Sequence, residues 1–202
     1  MHPKVKICGM KNAETIKTAI NHKLDFLGFV FYPDSPRNLT PKQATILTKD
    51  IPNHIGKVAV LVNETDQFIE YIKNDFDYFQ LHGNEDVKRI KEIRQKYNKK
   101  IIKVIKVTNE DSAKTYAQYG DEVDMFLFDS PAMEKSAKFE WQILTKLKIT
   151  KPYLVAGSIN INNVDEVLKY NPYGIDVSAG VESSVGVKSN EKIIEFLDKV
   201  KS

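Results

Sequence analysis

Val5-Lys6-Ile7-Cys8-Gly9 is a short apolar run near the amino terminus that ends on the one cysteine of the chain and a glycine. Further runs of this form end at Asn63, His82, Asp129, Gly157 and Gly180. Working outward, apolar runs of strand length cover residues 5–9, 26–31, 57–62, 78–82, 101–106, 125–129, 153–157 and 175–178. Segments of helical period lie between and after them, at 13–21, 41–49, 66–74, 85–97, 111–119, 141–148, 163–169 and 191–201. Thr40 before Pro41 reads as a helix cap followed by proline at the first helical position. Eight alternating units, with polar residues or glycine at the strand exits, predict an α/β fold: a (β/α)8 TIM barrel with one functional face. An open doubly wound sheet fits less well. Its dinucleotide-binding form needs G-x-G-x-x-G after the first strand, where this chain has Gly9-Met10-Lys11-Asn12.

The even spacing, without a linker or a shift in composition, predicts one domain over residues 1–202. A hydrophobic content of 42% in 202 residues is enough for a full core. The net charge of +3, with 30 basic residues scattered among 27 acidic ones, argues against nucleic acid or a membrane surface as partner. No apolar run approaches the ~18 residues of a membrane span, and Lys4 and Lys6 interrupt the apolar stretch nearest the amino terminus. One cysteine forms no internal disulfide and no multi-cysteine zinc site. A cytoplasmic protein is expected, and nothing demands a partner subunit, so a monomer is expected too.

Cys8 reads in two ways, as a small buried hydrophobe or as a catalyst at the functional rim. A base role requires a stabilised thiolate, because a free thiol of pKa ~8.5 is largely protonated at neutral pH. Asp129, after Met125-Phe126-Leu127-Phe128, either caps a turn before Pro131 or is a general acid kept protonated by apolar walls. Together the two form a candidate base and acid. Arg37 sits in the loop Tyr32-Pro33-Asp34-Ser35-Pro36-Arg37, which two prolines stiffen. It is either a surface turn residue or a guanidinium fork for a carboxylate. His82 is a substrate contact or a structural histidine of the barrel wall.

Val155-Ala156-Gly157-Ser158 and Asp176-Val177-Ser178-Ala179-Gly180-Val181 leave the last two strands through small residues. Backbone N–H groups there, with a short helix expected near Glu182, form a candidate phosphate cradle. Strand alternation puts Lys6 on the face of Cys8, Gln80 on that of His82, and Asp176 on that of Ser178. A polar layer of Lys6, Gln80 and Asp176 beneath the site is therefore expected. Lys6 should meet Asp176 or Asp129, because an unpaired buried charge is costly.

The ordered set resembles the phosphoribosylanthranilate isomerase family. It comprises Lys6-Ile7-Cys8-Gly9, Gly28-Phe29-Val30-Phe31, Ser35-Pro36-Arg37, Val62-Asn63, Gln80-Leu81-His82-Gly83, Phe128-Asp129, Phe139-Glu140-Trp141, Ala156-Gly157 and Asp176 to Glu182. The resemblance implies an Amadori rearrangement of N-(5-phosphoribosyl)anthranilate, a small phosphorylated substrate, with Asp129 as acid and Cys8 as base. It implies neither metal nor organic cofactor. Arg37 would hold the anthranilate carboxylate. His82, Gly157, Ser158, Asp176, Ser178, Ala179 and Gly180 complete the substrate-contacting set, with the backbone around residues 157–158 and 179–180 on the phosphate.

Family members usually carry a G-G-x-G loop after the strand-six aspartate, whereas residues 130–138 here contain no glycine, which places loop closure in question. The usual second glycine after strand seven is Ser158, and the usual second serine after strand eight is Ala179. The alternatives are another phosphosugar barrel, such as an indole-glycerol-phosphate synthase or a pentose-phosphate epimerase, and a phosphosugar-binding barrel without catalysis. For the synthase, Lys6 and Lys103 are the candidate catalytic lysines.

Overall fold

All six residues of the run Phe26–Phe31 are buried, as they must be when a strand is covered on both faces. The computed structural model, which describes residues 2–130 and 140–202, shows what covers them. Eight parallel strands pair in chain order and close, β8 against β1. They are β1 (Lys4–Cys8), β2 (Phe26–Phe31), β3 (Gly56–Leu61), β4 (Tyr78–Leu81), β5 (Lys100–Lys106), β6 (Met125–Asp129), β7 (Tyr153–Val155) and β8 (Gly174–Val177). The strands stop one to three residues short of the expected exits at 63, 82, 157 and 180, so those residues stand in the loops above the barrel.

Inward-facing Phe26, Val58, Ile102, Val104, Met125, Leu127, Leu154 and Ala156 fill the barrel. Outward-facing residues such as Ile7, Leu27, Phe29, Phe79, Ile101, Phe128 and Ile175 pack under the helices. The helices are α1 (Ala13–Asn21), α2 (Pro41–Thr48), α3 (Asp66–Ile72), α4 (Val87–Tyr97), α5 (Glu110–Lys114), α6 (Val164–Leu168) and α7 (Asn190–Lys201). Six begin on a side chain that accepts from the first-turn N–H groups: Asn12, Thr40, Thr65, Asp86, Asn109 and Ser189. Each such cap contributes about 1 kcal/mol. Among the described residues no helix is long and apolar enough to cross a membrane.

Three expectations need correction. The helix at 111–119 is only α5, followed by a 3-10 segment, Thr115–Glu122, that reaches Gly120 at φ +46°. This tighter winding lays Tyr116 against Phe126 and Phe128, at ring separations of 5.5 and 6.1 Å. The segment after β6 is likewise 3-10, Trp141–Lys146, with Trp141 and Leu144 buried at the three-residue spacing that suits this period. Finally, the short helix expected near Glu182 is a single turn just before it, Ala179–Val181. Glu182 instead opens a hairpin of β9 (Glu182–Ser184) and β10 (Val187–Lys188), which turns through Gly186 at φ +80° against Pro36.

Candidate active site

The floor of the site is the predicted polar layer. Register places Lys6 beside Asp176 across the β1–β8 pairing. The Lys6 ammonium lies 3.0 Å from each Asp176 oxygen, with both residues buried. Burial opposes the charge of Lys6, but Asp176 and the Cys8 sulfur hold its pKa above the ordinary lysine value. Burial pushes the Asp176 carboxyl upward, opposed by Lys6. Gln80 shares the layer at 2% exposure, and its Oε1 has no hydrogen-bond partner among the described residues.

Cys8 ends β1 above this floor. Burial pushes its thiol above the ordinary value, and the charges of Lys6 and Lys188 oppose that rise. Lys188 comes from the hairpin. Its ammonium donates to Glu182 Oε1 at 2.7 Å and to the carbonyl and hydroxyl oxygens of Ser178 at 3.1 and 3.2 Å. The Ser178 hydroxyl donates in turn to the Cys8 carbonyl at 3.1 Å.

Asp129 ends β6 with its side chain 22% exposed. Burial, reinforced by the Asp176 charge and opposed by Lys6, raises its pKa from 3.8 to about 7. His82 Nε2 stands 3.7 Å from Asp129 Oδ2, beyond hydrogen-bond length. Burial, helped by Lys106, Lys6 and Lys103, lowers the imidazole to about 4, so it faces Asp129 uncharged at neutral pH.

Arg37 is not free. Its Nε and Nη2 donate to the two oxygens of Glu182, each at 2.7 Å. Burial works against the Glu182 charge, yet Arg37 and Lys188 hold its carboxyl at about 2. Two of the five guanidinium N–H groups are thereby used, which leaves the outer edge for another carboxylate. The stem of Arg37 crosses Gly9, where φ is +80° and any side chain would collide with it.

The loops after β7 and β8 interlock. A methyl group on Gly180 would strike the Ile159 carbonyl oxygen, and one on Gly157, at φ +95°, would strike the Ser130 hydroxyl. Ser158 follows at φ +53°, in the left-handed region that glycine occupies more cheaply. Its carbonyl accepts from the side-chain amides of Asn160 and Asn163, at 3.1 and 3.0 Å, which hold the turn. A cavity of about 490 Å³ at the opposite end of the barrel, lined by Lys4, Asp25, Tyr78, Lys100 and Tyr173 among others, contains none of these groups.

Residues 5–199 match the sequence profile of the N-(5'-phosphoribosyl)anthranilate (PRA) isomerase family. The chain is a PRA isomerase family member. The N-(5'-phosphoribosyl)anthranilate isomerase of Bradyrhizobium diazoefficiens is 36% identical to it, over 96% of this chain and 91% of that one. Among solved structures, the PRA isomerase of Thermotoga maritima superposes with a TM-score of 0.89 at 29% identity, over 98% of both chains. A PRA isomerase in complex with reduced 1-(o-carboxyphenylamino)-1-deoxyribulose 5-phosphate superposes at 0.86, also at 29% identity and 98% coverage of each chain. The T. maritima isomerase is described as dimeric. The glycine-free loop expected at 130–138 lies, from residue 131 onward, outside the described residues.

Sequence reading missed three contributors. Glu182 and Lys188 emerge only through the hairpin, for which Val185-Gly186-Val187 is a faint signal. Glu85, expected as the start of a helix, precedes the Asp86 cap and turns inward. It accepts from the N–H groups of Asn63 and Gly83 at 2.8 and 3.2 Å and pairs with buried Lys103 at 2.9 Å. This ties the loops after β3 and β4 to β5. Lys103 faces away from the barrel interior, toward Tyr119, so the lysine of the synthase alternative is part of a structural tie.

Proposed function

We propose that Asp129 and Cys8 are the acid and base of this chain's phosphoribosylanthranilate isomerase reaction. The activity is an intramolecular aldose–ketose isomerisation of tryptophan biosynthesis, and it follows from family membership. The assignment of roles rests chiefly on one observation: Asp129 is held near pKa 7 at the strand-six exit. A carboxyl poised there retains a proton to donate at neutral pH.

In the proposed sequence, Asp129 gives its proton to the furanose ring oxygen. The C1–O bond breaks toward that oxygen, and the nitrogen lone pair forms the C1 iminium. The Cys8 thiolate then takes the C2 proton, and the C–H electrons form the enolamine. Transfer of the 2-hydroxyl proton to C1 gives the ketone. The thiol proton and the vacant carboxylate are restored by exchange with solvent. The acidity that the iminium confers on C2–H is what brings it within reach of a side-chain base.

The outer edge of Arg37 takes the anthranilate carboxylate, held in place by Glu182. The N–H groups of the interlocked residues 157–158 and 179–180 take the phosphate. Asp176 and Ser178 border the sugar, and uncharged His82 donates or accepts a neutral hydrogen bond beside Asp129. A cytoplasmic monomer completes the proposal, and sedimentation of the purified chain tests it against a dimer.

The test of the chemistry is loss of anthranilate-type fluorescence on adding the protein to freshly generated substrate with a chelator present. Turnover above the spontaneous rate is expected, abolished by both Cys8→Ala and Asp129→Ala, with affinity for a reduced product analogue kept. Unchanged turnover in both variants would overturn the assignment.

A further inference from the structure

We propose that Lys6 is a positioning residue for the base, its ammonium shared between Asp176 and the Cys8 sulfur so that the thiolate forms against a fixed cation. The proposal rests on Cys8 being the base, and its test reads the thiol without substrate.

Lys6 is wholly buried, so its charge has no access to water. An ammonium has three hydrogens. Two are accounted for by the Asp176 oxygens, each at 3.0 Å. The third direction leads to Cys8 past Gly28, the β2 residue paired with Cys8 in the β1–β2 register. A methyl group built on Gly28 would lie 3.0 Å from Cys8 Sγ and 3.0 Å from Lys6 Nζ. Both atoms therefore converge on the one inward position of β2 that has no side chain. The gap in β2 is what lets a lysine one layer down meet the sulfur at the rim.

The energetic argument runs the same way. Desolvating an ammonium and a carboxylate together costs several kcal/mol, and a pair of apolar residues at this depth would serve packing as well or better. What apolar residues cannot do is stabilise an anion at the next position up. Four charged groups face the thiol: Lys6 from β1, Asp176 from β8, Lys188 from the hairpin and Arg37 from the loop after β2. Glu182 engages Lys188 and Arg37 directly. Lys6 is the cation whose carboxylate partner, Asp176, also faces the sulfur. Asp176 thus competes with the thiolate for one ammonium, and whatever weakens the carboxylate strengthens the thiolate.

Since the chain contains one cysteine, alkylation by iodoacetamide reports Cys8 alone. The pH dependence of that rate is measured on full-length parent, Lys6→Met and Asp176→Asn, with circular dichroism as the folding check. Lys6→Met is expected to raise the midpoint and slow alkylation at pH 8 about tenfold, the lower end of what an opposite charge at ~4–6 Å does. Asp176→Asn is expected to lower the midpoint and speed alkylation by a similar factor. The uncharged Gly28→Ala should act in the direction of Lys6→Met, because it blocks the contact while keeping both charges. Should Lys6→Met fail to fold, the double variant Lys6→Met/Asp176→Asn leaves no unpaired charge in the layer beneath Cys8 and replaces it, with a midpoint above that of the parent. Turnover adds a second readout: Lys6→Met lowers kcat with KM within a few-fold, as a group acting through the base should.

Shifts of opposite sign support the proposal. Shifts of the same sign, or none beyond twofold, overturn it. A retained turnover in Cys8→Ala would instead defeat the isomerase assignment of the base and leave the thiol measurement standing.

Discussion

Replacing Asp129 by asparagine should abolish turnover and stabilise the fold, and the second effect has a calculable pH signature. The carboxyl rises from an ordinary 3.8 to about 7 in the folded chain, so the native state binds its proton more tightly than the unfolded chain does. Between pH ~4 and ~7 the native state carries the extra proton, and stability falls as pH rises through that window. Below it both states are protonated and nothing is lost; above it the full penalty applies. About three units at ~1.36 kcal/mol each give an upper bound of about 4 kcal/mol. With 22% of the side chain in contact with solvent, we expect about half of that or more. Asparagine keeps the shape and cannot ionise. Its advantage over the parent should therefore be small at pH 4, about two-fifths of its full size at pH 5, and reach ~2–4 kcal/mol at pH 8. For a chain of this size that is roughly 4–16 °C in melting temperature. Urea unfolding of both proteins at pH 5, 6, 7 and 8 measures the gap directly. A constant gap across that range, or a variant less stable at pH 8, would refute the argument that burial holds this carboxyl protonated.

Four further outcomes are expected. The productive form combines a protonated Asp129 with an ionised Cys8, although the acid titrates near 7 and the thiol above its ordinary value. The profile of kcat/KM should thus be a bell with its lower limb near pH 7, carried by a small minority of the enzyme in that reversed arrangement; a flat profile from pH 5 to 9 would contradict it. Gly180→Ala forces the Ile159 carbonyl aside. It should cost about 1–3 kcal/mol in thermal unfolding and raise KM at least tenfold, since an ångström of misplacement is felt strongly at a binding loop. Glu182→Gln removes the charged acceptor that orients Arg37, and steady-state kinetics should show KM raised about tenfold with a smaller change in kcat. Lys103→Met leaves the Glu85 charge buried and unpaired; melting should fall by roughly 6–20 °C, equivalent to about 3–5 kcal/mol, with part restored by adding Glu85→Gln.

The alternation of the strands carried most of what could be read in advance. The shared faces of Lys6 with Cys8 and of Asp176 with Ser178 followed from the two-residue period, which left Asp176 and Asp129 as partners for Lys6; the β1–β8 register decides for Asp176. One residue of slip would have turned both charges into the helix layer. The exits of β6, β7 and β8 were legible because an apolar run there gives way abruptly to Asp129, Gly157 and Ser178. What escaped depends on distance along the chain. Arg37 meets Glu182 across 145 residues, and no local pattern reports such a partner. Glu85 looks like a first-turn residue of α4, and only the buried Lys103 beside it explains why it turns inward. The two 3-10 segments were misread as longer helices for a simpler reason. Half-buried Tyr116 and Tyr119, like buried Trp141 and Leu144, turn inward at i and i+3, a spacing that satisfies both periods over so short a stretch.

The closure of β8 onto β1 has a consequence for how the protein comes into being. Lys6 and Asp176 are 170 residues apart, as are Cys8 and Ser178, and Lys201 reaches back to Asp25. The sulfur, its cation and the cradle after β8 all lie on the seam where the ends of the ring meet. Closing a loop of that length costs on the order of 4–5 kcal/mol in chain entropy, which early contacts elsewhere in the barrel must offset. Everything from β2 to β7 can zip up between sequence neighbours, but the seam has to wait for them. Helical signal should therefore return first when the unfolded chain is diluted from denaturant, and turnover last. On a ribosome, the oldest part of the chain holds the sulfur idle until the youngest arrives.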